Sequence, residues 1–94
     1  MTAVTEPTTE VVYNEFASKL AEGLEVLGFA HTATEDATEF WTVEKQHGEI
    51  EVSINYLTGE AFVEVSNKNG RVTKQKSIFL KSGADCRKVV SEAV

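Results

Sequence analysis

The sequence is poor in residues that build covalent or metal-held scaffolds. Of its 94 residues, one is a cysteine, Cys86, and one is a proline, Pro7. A single cysteine excludes a disulfide within the chain, and a small domain held by its core alone is typical of a reducing compartment, so we expect a cytoplasmic protein. His31 and His47 lie sixteen residues apart, with no cysteine or histidine at zinc-ligand spacing. We therefore predict neither a metal site nor a cofactor.

Long apolar runs are also missing. The longest, such as 78–80, span only a few residues, whereas a transmembrane helix needs about 20. Residues 1–9 contain neither a basic residue nor the apolar block of about 7–15 residues that marks a secretory signal. These absences predict a chain that neither crosses a membrane nor is exported.

Catalytic signatures are absent as well. The sequence has no glycine-rich phosphate loop, no nucleophile elbow and no HExxH pair. Cys86 lies in the first turn of a predicted helix, where a thiol can be reactive, but it also belongs to the apolar stripe of that helix, which favours a buried hydrophobic role. We predict that the protein is not an enzyme.

The overall composition is that of one globular domain. Apolar residues make up 41% and charged residues 26% of the chain, close to the averages for folded proteins, and this length suits a single core. Residues 1–9 are polar and rich in threonine, as mobile termini are. We predict a flexible tail over 1–9 and a single α+β domain over 10–94.

Spacings of three and four between apolar residues predict a first helix over residues 10–27. Its stripe contains Val12, Tyr13, Phe16, Ala17, Leu20, Leu24 and Leu27. Gly23 falls inside this stripe and is predicted to allow close approach to the sheet. Gly28 is predicted to cap the helix in the left-handed conformation, with Phe29 folding back on it.

A second helix is predicted to start at Gly83. Ser82 and Asp85 have the spacing of a capping box, in which each side chain accepts a free backbone N–H. The apolar residues of this helix again recur at three and four: Cys86, Val89, Val90 and Ala93.

Between the helices, a period of two predicts a β-meander with short, even turns. The predicted strands are 40–45, 49–56, 61–66 and 71–80. Segment 30–39 shows no clear pattern and is predicted to be a loop. The predicted fold is α+β with the order α-ββββ-α: a four-stranded antiparallel meander sheet with both terminal helices packed on one face.

The other sheet face is then left open, and its predicted residues are acidic and aromatic. The acidic and aromatic residues predicted on this face are Phe40, Glu44, Glu49, Glu51, Glu60, Phe62 and Glu64, joined by Phe79 in one register of the last strand. All of these except Glu60 and Phe79 form the predicted binding set. Exposed aromatic side chains rimmed by charge are typical of protein interaction surfaces. We therefore predict a partner-binding surface here, unless the tail or the 30–39 loop covers the aromatic rings.

Charge is distributed unevenly along the chain, whose net charge is −6: residues 1–66 carry a balance of −11 and residues 67–94 one of +5. This asymmetry concerns partners rather than fold. The first functional hypothesis is a non-catalytic acidic interaction module that binds a basic partner protein through the sheet face or the first helix. In its most specific form it is an inhibitor or regulator that imitates the charge of nucleic acid.

The second hypothesis uses the basic residues near the end of the chain for binding nucleic acid. They are Arg71, Lys74, Lys76, Lys81, Arg87 and Lys88. A competing structural explanation is that the strand lysines guard a sheet edge and pair with Glu60 and Glu64 on the neighbouring strand. An exposed edge strand would also allow a homodimer, so the protein is predicted to be a monomer or a dimer of this kind.

Overall fold

The computed structural model describes residues 14–94, which form two helices and one antiparallel sheet of five strands. The elements are α1 (Glu15–Val26), β1 (Ala30–Glu35), β2 (Thr38–Lys45), β3 (Gly48–Asn55), β4 (Glu60–Asn67), β5 (Val72–Phe79) and α2 (Gly83–Ala93). Each strand pairs with its neighbours in the sequence, so the sheet is a meander. The predicted α+β class is confirmed, whereas the predicted number of four strands is wrong. In residues 14–94, no helix is long and apolar enough to span a membrane.

The additional strand is β1, which lies in the segment predicted to be a loop. All six of its side chains are exposed, so the sequence shows none of the alternation that a half-buried strand requires. It pairs antiparallel with β2, with an irregularity between His31 and Ala33. The hairpin turns at Asp36, which adopts a φ of 54°, a conformation that aspartate tolerates better than most residues. Pairing with β2, rather than burial, makes this segment a strand.

In the described part of the chain, helix α1 begins at Glu15. Residues 10–13 of the predicted helix, like the predicted tail over residues 1–9, lie outside the described residues. Asn14 is extended, and its Oδ1 accepts hydrogen bonds from the backbone N–H groups of Phe16 and Ala17 at 2.9 and 3.2 Å. Its own N–H donates to the Tyr56 carbonyl at 2.7 Å, and its Nδ2 donates to the Leu80 carbonyl at 3.0 Å. One side chain therefore caps the helix and ties it to the sheet.

The predicted glycine cap of α1 is confirmed, although the helix ends at Val26, one residue before the predicted Leu27. Gly28 has a φ of 96° and donates to the Glu25 carbonyl at 3.0 Å, while the Phe29 N–H donates to the Leu24 carbonyl at 2.9 Å. These two bonds define a Schellman cap. Phe29 and Leu24 are both buried in the core, so the cap also carries the hydrophobic contact expected of it.

Helix α2 begins at Gly83 as predicted, but the predicted capping box is wrong. The Ser82 side chain makes no hydrogen bond to the start of the helix. Its hydroxyl donates instead to the Asp85 carboxylate at 3.4 Å, and that same carboxylate accepts the Lys81 N–H at 2.8 Å. The Asp85 carboxylate thus fixes the segment that enters the helix, and the Ser82 side chain caps no backbone N–H.

The core lies on one side of the sheet, where both helices pack. The inward-facing strand residues form a single cluster with the buried residues of both helices. This cluster contains Ala17, Leu20, Ala21, Leu24, Phe29, Trp41, Ile50, Val52, Ile54, Ala61, Val63, Ile78, Leu80, Val89 and Ala93. The alternate residues of β3 and β4 remain partly or fully exposed. The predicted arrangement of two helices on one sheet face therefore describes the fold, with β1 added at one edge.

The close approach predicted at Gly23 is wrong. A Cβ atom built on this residue would meet no other atom within 4 Å. Gly23 instead borders a shallow groove between the helices, together with Lys19, Cys86 and Arg87. The glycine is thus not required by packing.

Replacing Gly23 with alanine is expected to stabilise the protein by up to about 1 kcal/mol, because alanine loses less backbone entropy in a helix and the added methyl group has free space. Chemical denaturation of Gly23→Ala beside the wild type measures this difference in the free energy of unfolding.

The matched control is Gly59→Ala. Gly59 has a φ of 79°, and an added Cβ would collide with the Asn14 side chain that caps α1. The same glycine-to-alanine change should therefore destabilise the protein here. A loss of stability in Gly23→Ala would contradict the open space beside that residue.

Candidate functional site

The sheet face turned away from the helices, here called the open face, carries charge of one sign only, which is negative. The strand registers place six glutamates on it: Glu35, Glu44, Glu49, Glu51, Glu60 and Glu64. Of the residues of β1–β5 whose register assigns them to this face, none is lysine, arginine or histidine. The open face thus concentrates negative charge, and β1–β5 contribute no cation to it.

Two pairs of these glutamates stand directly opposite each other on adjacent strands. Glu44 faces Glu49 across β2 and β3, and Glu51 faces Glu64 across β3 and β4. Like charges in this position destabilise a sheet. Partial burial, and then the charges of Glu64 and Glu49, raise the pKa of Glu51 above its ordinary value. The open face therefore keeps its charge at a cost to folding.

Aromatic rings interrupt this acidic surface. Phe40, Ser53 and Phe62 are aligned on β2, β3 and β4, and adjacent strand spacings place the two phenylalanine backbones about 9.5 Å apart. Both rings are partly exposed, and Phe79, on the same face of β5, is 53% exposed. The alternative in which the 30–39 loop covers these rings is wrong, because that segment is the edge strand β1. The other predicted cover, the tail over residues 1–9, lies outside the described residues.

The structure thus brings the six predicted residues of the partner-binding surface to one face, although their role in binding stays a prediction. They are Phe40, Glu44, Glu49, Glu51, Phe62 and Glu64. Sequence reasoning placed Glu60 on this face, by the strand parity that it shares with Phe62 and Glu64, but left it out of the binding set. It missed Glu35 altogether. Glu35 could be found only by recognising β1.

Beside Phe62 the open face contains a shallow depression of about 170 Å³, lined by Thr38, Ser53, Asn55, Glu60 and Phe62. The carboxylate of Glu60 is oriented by the Ser77 hydroxyl, which donates to its Oε2 at 2.7 Å. The next glutamate along the strand, Glu64, likewise accepts from Gln75 Nε2 at 3.0 Å. Strand β5 therefore positions acidic groups of the open face without neutralising them.

The predicted basic residues lie elsewhere. Lys74 and Lys76 face Val65 and Val63 on the helix side of edge strand β5, and Arg71 lies just before that strand. Lys81 precedes α2, while Arg87 and Lys88 belong to it. The predicted pairing of strand lysines with Glu60 and Glu64 is wrong, because the register puts those glutamates on the opposite face. They lie across from Phe79 and Gln75 instead.

Lys74 finds its partner in α2. Its Nζ lies 2.8 Å from Glu92 Oε1 and donates to the Glu92 backbone carbonyl at 3.0 Å. The hydrogen bond and charge of Lys74 lower the pKa of the Glu92 carboxyl. This contact supports the structural explanation for at least one of the basic residues, namely internal pairing at the sheet edge.

Cys86 and His31 show the features of structural residues. The Cys86 thiol donates to the Phe16 carbonyl at 3.4 Å, and burial followed by the charge of Asp85 raises its pKa, so its reactive thiolate is disfavoured. His31, predicted in a loop, lies in β1 with its ring centroid 5.2 Å from that of Trp41. Over residues 14–94, no three His, Cys, Asp or Glu side chains are grouped so that they could hold a metal ion.

Comparisons with known proteins do not assign this chain to a family. No protein-family model matches the sequence, and no curated protein or solved structure is significantly similar to it. The function must therefore be inferred from the surface itself, where the open face is the most distinctive feature.

The glutamine variant Glu51→Gln should be more stable than the wild type at pH 7, by about 0.2–1 kcal/mol, because it removes a partly buried charge and its like-charge cross-strand pair. The raised pKa means that the folded state holds this proton more tightly than the unfolded state. The penalty is absent well below the ordinary value of 4.5 and complete above the raised value, so wild-type stability falls as pH rises through this window.

Thermal and chemical unfolding of both proteins between pH 3 and pH 7 tests this expectation. The advantage of Glu51→Gln over the wild type should grow with pH. A pH-independent difference for Glu51→Gln would argue against charge repulsion at this position.

Proposed function

We propose that this protein is a non-catalytic acidic interaction module whose open face binds a basic surface or groove of a partner protein. One observation carries the proposal: six glutamates and three partly exposed phenylalanines share a sheet face on which the strands contribute no cation. The module acts by occupying its partner and needs no bound cofactor.

Electrostatics and aromatic contact have separate roles in this binding. A face of one charge sign speeds encounter with an oppositely charged protein and rejects like-charged ones. The phenylalanine rings supply apolar contact area, because aromatic side chains are enriched in the cores of interfaces and glutamate is depleted there. We expect the rings to lie near the centre of the interface and the outer glutamates near its rim.

The cross-strand glutamate pairs favour this function over a purely structural role. Glu51 and Glu64 repel each other in the free protein and gain from any cation that sits between them. A basic partner therefore relieves a strain that the fold itself leaves in place. Glu44 and Glu49 also face each other, one row further along the sheet, so a cation of the partner can bind between them as well.

In its most specific form, the module is an inhibitor or regulator that imitates nucleic acid. A DNA duplex presents about one negative charge per 1.7 Å of its axis, and proteins that bind it line a groove with lysine and arginine. The open face offers the same sign of charge on a rigid support and would compete for such a groove. We expect this to occur in the cytoplasm, with the protein acting as a monomer or as a homodimer paired through an edge strand.

The alternative function, nucleic-acid binding through the basic residues, has less support. Lys74 is paired with Glu92, and the remaining cations are spread over β5, the connection to α2 and α2 itself. A gel-shift assay with DNA and RNA at low salt tests it directly. Binding at micromolar protein would revive this alternative.

The proposed function is tested by removing charge from the open face. The double variant Glu44→Gln/Glu49→Gln is expected to bind a fluorescein-labelled deca-lysine peptide about 2- to 30-fold more weakly than the wild type, the range given by two exposed ion pairs. Fluorescence anisotropy at about 50 and 200 mM salt measures both the affinity and its expected decline with salt.

The matched control is Glu22→Gln/Glu25→Gln, which removes the same charge from the exposed side of α1. This variant should bind nearly as well as the wild type. Equal loss in both double variants, or a larger loss in the helix variant, would contradict the assignment of binding to the open face.

A further inference from the structure

The depression beside Phe62 combines a positioned carboxylate with an exposed aromatic ring. We propose that it is a side-chain pocket that takes an arginine of the basic partner, with the guanidinium stacked against Phe62 and paired with Glu60. This inference rests on the proposed function, because it specifies which residue type the open face recognises.

Aromatic rings flank Glu60 on two sides. Phe62 lies two residues further along β4 and points to the same face, while Phe79 stands directly opposite Glu60 on β5. Phe79 is one of the most exposed large hydrophobic residues of the described chain, at 53%. A cation paired with the Glu60 carboxylate therefore has aromatic side chains on two sides.

The size of the depression fits a side chain and not a cofactor. Its volume of about 170 Å³ holds roughly five or six water molecules at about 30 Å³ each. Pockets for small-molecule ligands are larger, at about 300–1,000 Å³. The head and adjoining methylene groups of one long side chain are the natural occupant.

The polar groups around the depression are already held in place. Glu60 Oε2 accepts from Ser77, and Asn55 Oδ1 accepts from the N–H groups of Leu57 and Thr58 at 2.9 Å each. Positioned acceptors lose little freedom when a ligand binds. Ser53, which lies between Phe40 and Phe62 in the same cross-strand row, is small and leaves the side of the Phe62 ring accessible.

Arginine suits this environment better than lysine. Its planar guanidinium can stack on an aromatic face while donating hydrogen bonds to a carboxylate, and it is weakly hydrated. The lysine ammonium is a compact and strongly hydrated charge that gains less from stacking. The contact with Phe62 should therefore appear as a preference for arginine over lysine at equal peptide charge.

The experiment compares deca-arginine and deca-lysine peptides by fluorescence anisotropy, using the full chain. The wild type is expected to prefer deca-arginine by about 2- to 30-fold, the range that cation–π contacts span. Phe62→Leu keeps an apolar side chain without the aromatic face, and Glu60→Gln keeps its shape without the charge. Both variants should reduce the preference towards the level of non-specific charge attraction.

The matched control is Phe40→Leu, the same substitution in the same row of the open face but outside the lining of the depression. It should keep the wild-type preference. An equal loss in Phe40→Leu and Phe62→Leu, or a preference that neither Phe62→Leu nor Glu60→Gln changes, would overturn the pocket. Circular dichroism confirms that each variant is folded.

These outcomes separate the pocket from the proposed function. If deca-lysine binds the open face with the expected salt dependence but arginine gives no preference, the pocket is refuted and the interaction module stands. If both peptides bind without loss in Glu44→Gln/Glu49→Gln, the proposed function itself fails.

Discussion

The packing of both helices on one side of the sheet is the constraint on which the rest of the structure depends. The buried residues of α1, α2 and the inward strand positions form a single core, so residues 14–94 have one apolar interior and supply no second layer to cover the other face. The side chains of that face were therefore not selected for burial. They contribute to folding only through strand pairing, and several of them oppose it by charge repulsion.

This division separates what stabilises the protein from what can act on a partner. Asn14 joins the start of α1 to the chain after β3 and to Leu80 after β5, and the Schellman cap fixes the other end of the helix. Because the helices are fixed in this way, the sheet tolerates glutamates that repel one another and exposed phenylalanines on its other side. Side chains that lower stability, such as like-charged neighbours and exposed aromatic rings, are expected at functional sites when nothing in the fold offsets their cost.

The sequence was sufficient for the helices, for the central strands and for which side of β3 and β4 faces the core, because burial imposes periodicity on those segments. It was insufficient where burial is absent. β1 buries no side chain, so its pairing with β2 left no pattern to detect. The sheet face on which Lys74 and Lys76 lie depended on the strand register and on an irregularity beside Val65. The space around Gly23 depended on the distance between the helices. These are properties of the assembled fold and not of local sequence.

The two edge strands of the sheet, β1 and β5, differ in how firmly they are held to the core. On the β5 side, Lys74 and Lys76 project from the edge strand towards the helices, and Ile78 anchors that strand in the core. The β1 side has no comparable anchor, since none of its six side chains is buried. Its backbone amides should accordingly exchange with solvent by local opening of one hairpin, well before the central strands do. Strand β1, which pairs with β2 beside Phe40, can thus open locally while the glutamates of the open face on β3 and β4 keep their positions.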